Sequence, residues 1–287
     1  MPDRLATIEQ SSRPTLTTSA LNAHDWLTAT PDRPTTSTSG CVDAVLGQMR
    51  PVGLDDIAAA SLMQRVDHKF IASPEDLVAF IAPLVEEYDV LAVQNRRAQH
   101  YRTVYFDTPS FELYHQHRVG RAGRLKVRNR EYVESALCFM ELKRKTKRDR
   151  TVKQREPVPQ VTDIPAGHTA GIRHDLERLG CLSPTLLTEF TCVTLVRLDR
   201  RERITLDFDL RLVGPAGSAD LAHVCVIEVK QERPDRWSPA MQQARRLRLR
   251  PGFSKYALGV ALLYAGVRRN QFKRVLRQVD DVMGKAS

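Results

Sequence analysis

Two consecutive segments place lysine and arginine at alternate positions, and this spacing points to chemistry with an anion. Between Arg118 and Arg155, fourteen lysines and arginines accompany four acids, a balance of +10 that equals the formal net charge of the whole chain. The alternating cations are Arg124, Lys126, Arg128, Arg130, Lys143, Lys145 and Lys147. A period of two indicates β-strands with one charged face, and a row of cations repels itself unless an anion binds there.

The second half of the chain continues the alternation but mixes acids with the cations. The apolar positions are Ile204, Leu206, Phe208 and Leu210, and the polar positions between them are Arg203, Thr205, Asp207 and Asp209. Glu228 and Lys230 repeat the pattern in a later segment. Five predicted strands therefore carry charge on one face and apolar side chains on the other.

Predicted amphipathic helices also need an apolar surface to cover, and this bears on how the charged face is arranged. If the apolar face of the sheet points outward under the helices, the charged face lines the inside of a closed barrel, which also removes the sheet edges. An open sheet with a solvated charged face is the alternative. The acids Glu141, Asp207 and Glu228 lie among the cations, and this mixture favours the closed barrel.

The periodicity predicts an α+β fold, an antiparallel β-barrel tunnel with a charged interior covered by flanking helices. Ser73 and Pro74 begin one helix with an N-cap and a proline in the first turn. The predicted helices cover 54–64, 73–85, 111–119, 172–179, 238–249 and 254–282. The predicted strands cover 65–71, 100–106, 122–133, 137–146, 150–158, 185–198, 201–213 and 222–231.

Composition divides the chain into two parts and bears on its location. Residues 1–50 are rich in threonine, serine and proline and contain no lysine, which predicts a disordered tail before a tunnel domain over 51–282. The five cysteines include no CxxC pair, and no apolar signal segment follows Met1. The longest apolar run, Tyr256–Gly266, has about half the length that spans a bilayer. We expect a cytoplasmic protein that reaches a membrane only through a separate membrane protein partner.

Several common sites for phosphate compounds are absent from the sequence. There is no GxxxxGK[ST] loop and no GxGxxG motif, which excludes a P-loop or a Rossmann dinucleotide site. Aromatic residues make up only 6% of the chain, and few are therefore available to stack on nucleobases. Nucleic acid is accordingly not an expected partner.

Seven short segments carry a resemblance to a known family. They are Asp67-His68-Lys69, YFDT at 105–108, KVRNREY at 126–132, FMELKRK at 139–145, RITLDFDL at 203–210, IEVK at 227–230 and FSKYALG at 253–259. In this order they resemble the VTC domain, the polyphosphate polymerase branch of the triphosphate tunnel metalloenzymes, which is related to the CYTH group. The resemblance covers about residues 60–265.

The resemblance implies a metal-dependent enzyme that transfers the γ-phosphate of ATP to a growing polyphosphate chain inside a basic tunnel. The implied cofactor is a divalent metal, Mn²⁺ or Mg²⁺. The implied catalytic residues, which contact phosphate, are Lys69, Arg128, Arg130, Lys143, Arg203 and Lys255. The implied metal ligand is Glu228, and Glu141 or Asp207 is the candidate acid that assists it. Further cations of the same strands are candidate substrate-binding residues: Lys126, Lys145, Lys153, Arg155 and Lys230.

Two positions depart from the family pattern. Residues 190–192 read Phe-Thr-Cys where the family has Tyr-x-Arg, and Asp67 stands where glutamate is usual. Both changes bear on polymerase activity more than on phosphate binding. Two alternatives therefore stay open: a non-catalytic domain that binds or senses polyphosphate or inositol polyphosphates, and a tunnel-type triphosphatase or nucleotide cyclase.

Overall fold

The computed structural model describes residues 16–17, 25–28, 37–58, 65–146, 151–167 and 169–284. Its helices are α1 (Asp25–Thr28), α2 (Ser37–Leu46), α3 (Leu54–Ala58), α4 (Pro74–Ile81), α5 (Glu112–Arg118), α6 (Ala170–Leu179), α7 (Pro239–Arg246), α8 (Lys255–Leu263) and α9 (Lys273–Gly284). Its strands are β1 (Leu16–Thr17), β2 (Pro51–Val52), β3 (Val66–Ala72), β4 (Asp89–Leu91), β5 (Ala98–Asp107), β6 (Leu125–Tyr132), β7 (Leu137–Lys145), β8 (Thr151–Pro157), β9 (Ser183–Arg197), β10 (Glu202–Gly214), β11 (Gly217–Leu221), β12 (Cys225–Gln231) and β13 (Arg250–Pro251). This is the predicted α+β class.

The strands form one curled, mainly antiparallel sheet in the order β13-β3-β12-β10-β9-β5-β6-β7-β8. Strand β11 pairs with β10, β4 pairs with β9, and β2 runs parallel to β4. Within the described residues, the two ends of this order do not pair with each other. The antiparallel tunnel is confirmed, but it curls without the closure that the alternation predicted.

Helices cover the sheet on its outer face and at one end of its inner face. Helices α2, α4 and α7 lie over apolar side chains of β10 and β12, such as Leu206 and Ile227. Helix α6 covers those of β6 and β7, such as Val127 and Leu142. Helix α8 instead packs against inner-face side chains, among them Leu186. The charged stretch of the inner face is thereby left between α8 and the opposite mouth of the tunnel.

Helix α4 begins as its sequence predicts. The Ser73 hydroxyl accepts the Asp76 N–H at 3.1 Å, and the Asp76 carboxylate accepts the Ser73 N–H at 3.5 Å. This reciprocal pair is a capping box, which satisfies backbone donors that the helix itself leaves free. Leu77, Phe80 and Ile81 are buried, so the predicted apolar stripe of α4 is the face that packs on the sheet.

Helix α2 lies inside the stretch that was predicted to be disordered. Val42, Leu46 and the following Met49 are buried against α4 and the sheet. The disorder prediction does not hold for residues 37–50. These few apolar side chains bury enough apolar surface to order the helix, although the composition of the stretch as a whole is polar. Trp26 of α1 is buried as well. The other parts of the predicted tail, except 16–17 and 25–28, lie outside the described residues, as do 59–64 of the first predicted helix.

A β-bulge in β10 interrupts the alternation of faces that the sequence predicts. The register with β9 shifts between Phe208 and Arg211, and Asp209 has a left-handed backbone with φ of 53°. Phe208 therefore packs on the outer face, whereas Leu210 packs on the inner face under α8. Asp209 does not share the face of Asp207, as the alternation predicts, and its carboxylate accepts the Ser39 hydroxyl of α2 at 3.0 Å.

The C-terminal region differs from the single helix predicted over 254–282. Helix α8 ends at Leu263, and the backbone of Tyr264 is extended. The Tyr264 hydroxyl donates to the Thr185 carbonyl at 2.6 Å. Helix α9 starts only at Lys273. Among the described helices, none combines the length and the apolar character needed to cross a membrane.

Candidate functional site

The antiparallel register gathers most of the predicted site residues into two groups on the inner face. Residues directly opposite each other on neighbouring strands share a face. The first, called the β12 group, consists of Lys69, Arg203, Asp207, Glu228 and Lys230 on β3, β10 and β12. The second, called the β7 group, consists of Lys126, Arg128, Glu141, Lys143, Lys153 and Arg155 on β6, β7 and β8. Both groups belong to the inner face of one curled sheet.

Glu228 is held by two lysines. The Lys69 Nζ lies 2.6 Å from Glu228 Oε1, and the Lys230 Nζ lies 3.2 Å from Glu228 Oε2. Burial by itself raises the pKa of Glu228, but the charges of Lys230 and Lys69 outweigh burial and hold it well below its usual value. Lys230 also donates to the Thr205 hydroxyl at 2.6 Å. Glu228 is therefore an ionised carboxylate whose two oxygens both face cations.

Glu141 is the corresponding acid of the β7 group and is only 1% exposed. Arg128 approaches Glu141 Oε2 with its Nε at 2.7 Å and a terminal nitrogen at 2.5 Å, and Lys153 pairs with the other oxygen. Burial raises the pKa of Glu141, but the charges of Arg128 and Arg130 lower it well below its usual value. Both carboxylates pair with cations, but the Glu141 side chain is more deeply buried than that of Glu228, which is 16% exposed, so Glu141 is less available to a metal.

Lys126 and Lys143 are cations of the β7 group that form no ion pair with the residues that the structure describes. The Arg128 charge and then burial lower the pKa of Lys143 well below its usual value. Burial, followed by the charges of Lys69 and Arg128, lowers the pKa of Lys126 to about 7. Because Lys69 lies on β3, this repulsion shows that the two groups face each other across the tunnel. An anion bound between them would relieve it.

Helix α8 brings a further predicted residue to the tunnel from outside the sheet. Ser254 caps the helix by accepting the Ala257 N–H, and its hydroxyl also accepts the Lys126 Nζ–H at 2.9 Å. Lys255, the first helical residue, pairs with Asp207 and lies 4.2 Å from the Phe190 ring centroid. Gly259 permits this position, since a Cβ there would lie 2.4 Å from a methyl carbon of Leu186.

The remaining predicted residues lie toward the edges of the two groups. Arg130 donates to the Thr103 hydroxyl at 3.1 Å and stacks over Tyr101 at 4.9 Å. Arg155 stacks over Phe139 at 4.5 Å. Lys145 ends β7 on the inner face, opposite Thr151 of β8. Burial, followed by the charge of Arg65, lowers the pKa of Arg203.

Two features of the site were missed by the sequence analysis. The Tyr105 hydroxyl accepts a hydrogen bond from Arg128 at 3.2 Å, and its ring stacks on Tyr256 at 5.1 Å. Asp107 accepts a hydrogen bond from the Tyr256 hydroxyl. It also accepts the backbone N–H groups of Leu113 and Tyr114, both at 2.9 Å. These contacts tie α8 and α5 to β5 and so position Lys255. The YFDT segment contains both residues, but sequence alone does not tell which partners they reach.

The donor set fits a divalent metal only together with phosphate. The described residues contain no group of three or more histidine, cysteine, aspartate and glutamate side chains able to hold an ion. Glu228 supplies ionised oxygen, the ligand that Mg²⁺ and Mn²⁺ prefer, and Mg²⁺ sites commonly combine one or two carboxylates with substrate phosphates. An ion at Glu228 must displace Lys69 or Lys230, and phosphate oxygens are the partners that the displaced lysine can take.

Comparison with known proteins identifies the family. The family model of the VTC domain matches residues 64–264. The chain belongs to the VTC domain family. A comparison with curated proteins gave no match.

Several solved structures are also similar to the chain. A Hippeastrum protein described as having a dominant triphosphatase activity is 18% identical, covering 69% of this chain and 95% of its own at a TM-score of 0.44. A Pyrococcus horikoshii protein is 16% identical, covering 65% and 91% at a TM-score of 0.37. The S. pombe RNA triphosphatase Pct1 is 10% identical, covering 90% and 94% at a TM-score of 0.27.

Both departures from the VTC pattern lie on the inner face. Cys192 stands opposite Asp207, and burial raises the pKa of its thiol well above the usual value. A neutral thiol cannot bind phosphate as an arginine at this position would, and the cation that pairs with Asp207 is Lys255. Asp67 stands opposite Lys230 and pairs with Arg65 at 2.8 Å. The first departure removes a cation from the tunnel wall, and the second retains an acid.

Proposed function

We propose that this VTC-family chain is a polyphosphate polymerase that transfers the γ-phosphate of ATP to the end of a polyphosphate chain inside the tunnel. The observation that carries the proposal is the convergence of cations from β3, β6, β7, β8, β12 and α8 on one inner face that also holds the ionised Glu228. A linear polyanion matches such a face because each phosphate brings about one negative charge for each cation it meets.

The reaction needs positioning and charge stabilisation more than a side-chain nucleophile. In the proposed step, an oxygen of the terminal phosphate of the chain attacks the γ-phosphorus of ATP. The bond from that phosphorus to the β–γ bridging oxygen breaks, and ADP leaves with the electron pair. A divalent metal bound at Glu228 supplies neutralisation of the charge on the phosphate oxygens.

The two residue groups have different tasks in this proposal. Arg128, held in place by Glu141 and Tyr105, offers a fixed guanidinium edge to phosphate oxygens. Lys126 and Lys143, whose pKa values burial and neighbouring cations lower in the empty tunnel, hold their protons more firmly when phosphate binds and so offer it positive charge. Lys69 and Lys230 exchange Glu228 for phosphate when substrate enters. Arg130, Arg203 and Lys255 complete the proposed catalytic set, and Lys145, Lys153 and Arg155 extend the substrate-binding surface.

A tunnel-type triphosphatase is the second candidate, and one observation favours it. Helix α8 covers the inner face at one end with apolar contacts to Ile71, Leu186 and Val226. A polymer that threads the tunnel needs an exit at both ends, whereas a triphosphate that is hydrolysed needs only one. In that reaction water takes the place of the acceptor phosphate, and the same cations stabilise the leaving diphosphate.

Incubation of the purified chain with ATP and MnCl₂ distinguishes the two candidates. A polymerase yields ADP and a ladder that stains as polyphosphate on a gel, while a triphosphatase yields orthophosphate and no ladder. Protection against thermal unfolding by tripolyphosphate without either product would identify a binding or sensing domain. The proposed partners are thus ATP and polyphosphate. A separate membrane protein partner and a cytoplasmic location remain predictions.

A further inference from the structure

The loop between β12 and α7 displays an aromatic side chain far from the tunnel interior. Trp237 is 64% exposed, more than any other large apolar side chain in the described part of the protein. Guanidinium groups flank its ring, with the central carbons of Arg236 and Arg245 lying 4.9 Å and 5.3 Å from the ring centroid. The indole and its two arginines therefore form one unit that is both aromatic and cationic.

Hydrogen bonds hold this loop in a defined shape. The Gln231 side chain donates to the Asp235 carbonyl at 2.9 Å and accepts the Asp235 N–H at 3.0 Å. Asp235 in turn accepts the Trp237 N–H at 2.8 Å, and Gln242 donates to the Trp237 carbonyl at 2.6 Å. The backbone around Trp237 is thus fixed without burying the indole, so the fold does not use this ring for its core.

The charge around Trp237 is positive and not neutralised by nearby acids. We define the Trp237 surface as Arg233, Arg236, Trp237, Arg245 and Arg246, all of them exposed. The two acids of the loop are already engaged, since Glu232 pairs with Arg201 at 3.0 Å and Asp235 accepts the Trp237 N–H. No carboxylate of the described residues makes an ion pair with these four arginines.

We infer that the Trp237 surface docks on the headgroup layer of an anionic lipid bilayer. Tryptophan favours the interface between water and lipid because its ring is apolar and its N–H is polar. Arginines beside it meet anionic headgroups, each adding attraction at the surface of such a membrane. The positive charge of the Trp237 surface is complementary to anionic headgroups, and a fluid headgroup layer can adapt its shape to one projecting indole. This inference is independent of the proposed function, because the tunnel cations face inward.

The chain provides its own reporter for this contact. It has two tryptophans, of which Trp26 is 1% exposed and Trp237 is 64% exposed. A Trp26→Phe variant of the full chain leaves Trp237 as the source of the emission. Vesicles of phosphatidylcholine with phosphatidylserine should shift this emission to shorter wavelength and sediment the protein. Vesicles of phosphatidylcholine alone should do neither.

Substitutions place the contact on the surface. Trp237→Ala should abolish most of the vesicle binding, and Arg236→Ala and Arg245→Ala should each weaken it by about fivefold. The matched control combines Ile164→Ala with Arg178→Ala, because Ile164 is 56% exposed and Arg178 is an exposed arginine on another face. The control should bind anionic vesicles as the unchanged protein does, with the same melting temperature as the Trp237 variants.

Three results would overturn the inference. The first is an emission that anionic vesicles leave unchanged. The second is a Trp237→Ala protein that sediments with them as well as the control variant does, which would place lipid binding elsewhere on this basic chain. The third is duplex DNA or heparin shifting the Trp237 emission at least as strongly as the vesicles at the same salt concentration. That result would assign the surface to polyanions in general.

Discussion

The two walls of the tunnel carry the same kinds of residue but differ in how their charge is balanced. In the β12 group, three cations accompany two acids, and each acid is paired, Glu228 with two lysines and Asp207 with Lys255. In the β7 group, five cations accompany one acid, Glu141. The β12 wall is nearly neutral when empty, whereas the β7 wall retains positive charge. The difference indicates that the β7 wall supplies most of the attraction for an anion. At the β12 wall, the lysines then exchange Glu228 for the bound anion.

The largest effect should follow from removing the acid of the β12 wall. Glu228→Gln keeps the shape but deletes the metal-binding charge, and turnover should fall about 100-fold or more. Binding of tripolyphosphate without metal should stay within about tenfold, because Lys69 and Lys230 remain. Glu232→Gln, an exposed acid paired with Arg201, is the matched control. Full turnover of the Glu228 variant at saturating Mn²⁺ would contradict the role assigned to this residue.

Two cations of the β7 wall should affect stability in opposite directions. Arg128→Ala leaves the buried Glu141 with Lys153 alone and should destabilise the fold by about 3 kcal/mol. Lys143→Met removes a cation that Arg128 repels, and should raise the free energy of unfolding of the empty protein. Both variants should lose stabilisation by tripolyphosphate. Urea unfolding with and without tripolyphosphate measures these changes, and shifts of the same sign for both empty variants would refute the proposed imbalance.

The smallest effect concerns pH. The pKa of Lys126 is about 7 in the folded chain, while an unfolded lysine titrates near about 10.4. Between these values the unfolded chain binds a proton that the folded chain lacks, so this group makes stability rise with pH. Lys126→Met should flatten the rise between about pH 7 and 9, as measured by melting temperature. Lys273→Met, which removes an exposed charge on α9, should leave the slope unchanged; an equal effect would argue against a special environment for Lys126.

The sequence predicts the sheet better than the contacts within it. Period-two alternation at Lys126, Arg128 and Arg130 correctly places these cations on one face, and the Ser73 cap correctly begins α4. The pairing of Glu228 with Lys69 and Lys230 depends on strand register, because a shift of one residue reverses every side chain. Alternation along a single strand does not reveal which residue stands opposite.

Other misses arise where distant residues override the local pattern. The polar composition of residues 37–50 conceals a helix that forms because Val42 and Leu46 find apolar neighbours on α4 and the sheet. Asp209 reads as one more polar position of a regular strand, yet its left-handed backbone breaks the alternation. The Tyr256 contact with Asp107 joins residues 149 positions apart. None of these partners can be identified from the local sequence.

The bulge at Asp209 sets the length of the charged wall. Before it, β10 presents Arg203, Thr205 and Asp207 to the interior, and after it the same strand presents Leu210 and Leu212 to α8. The polar part of β10 is therefore about five residues long, or about 16 Å at the rise of an extended strand. A single left-handed residue thus limits the length of an extended anion that can lie beside this strand before the anion reaches apolar side chains.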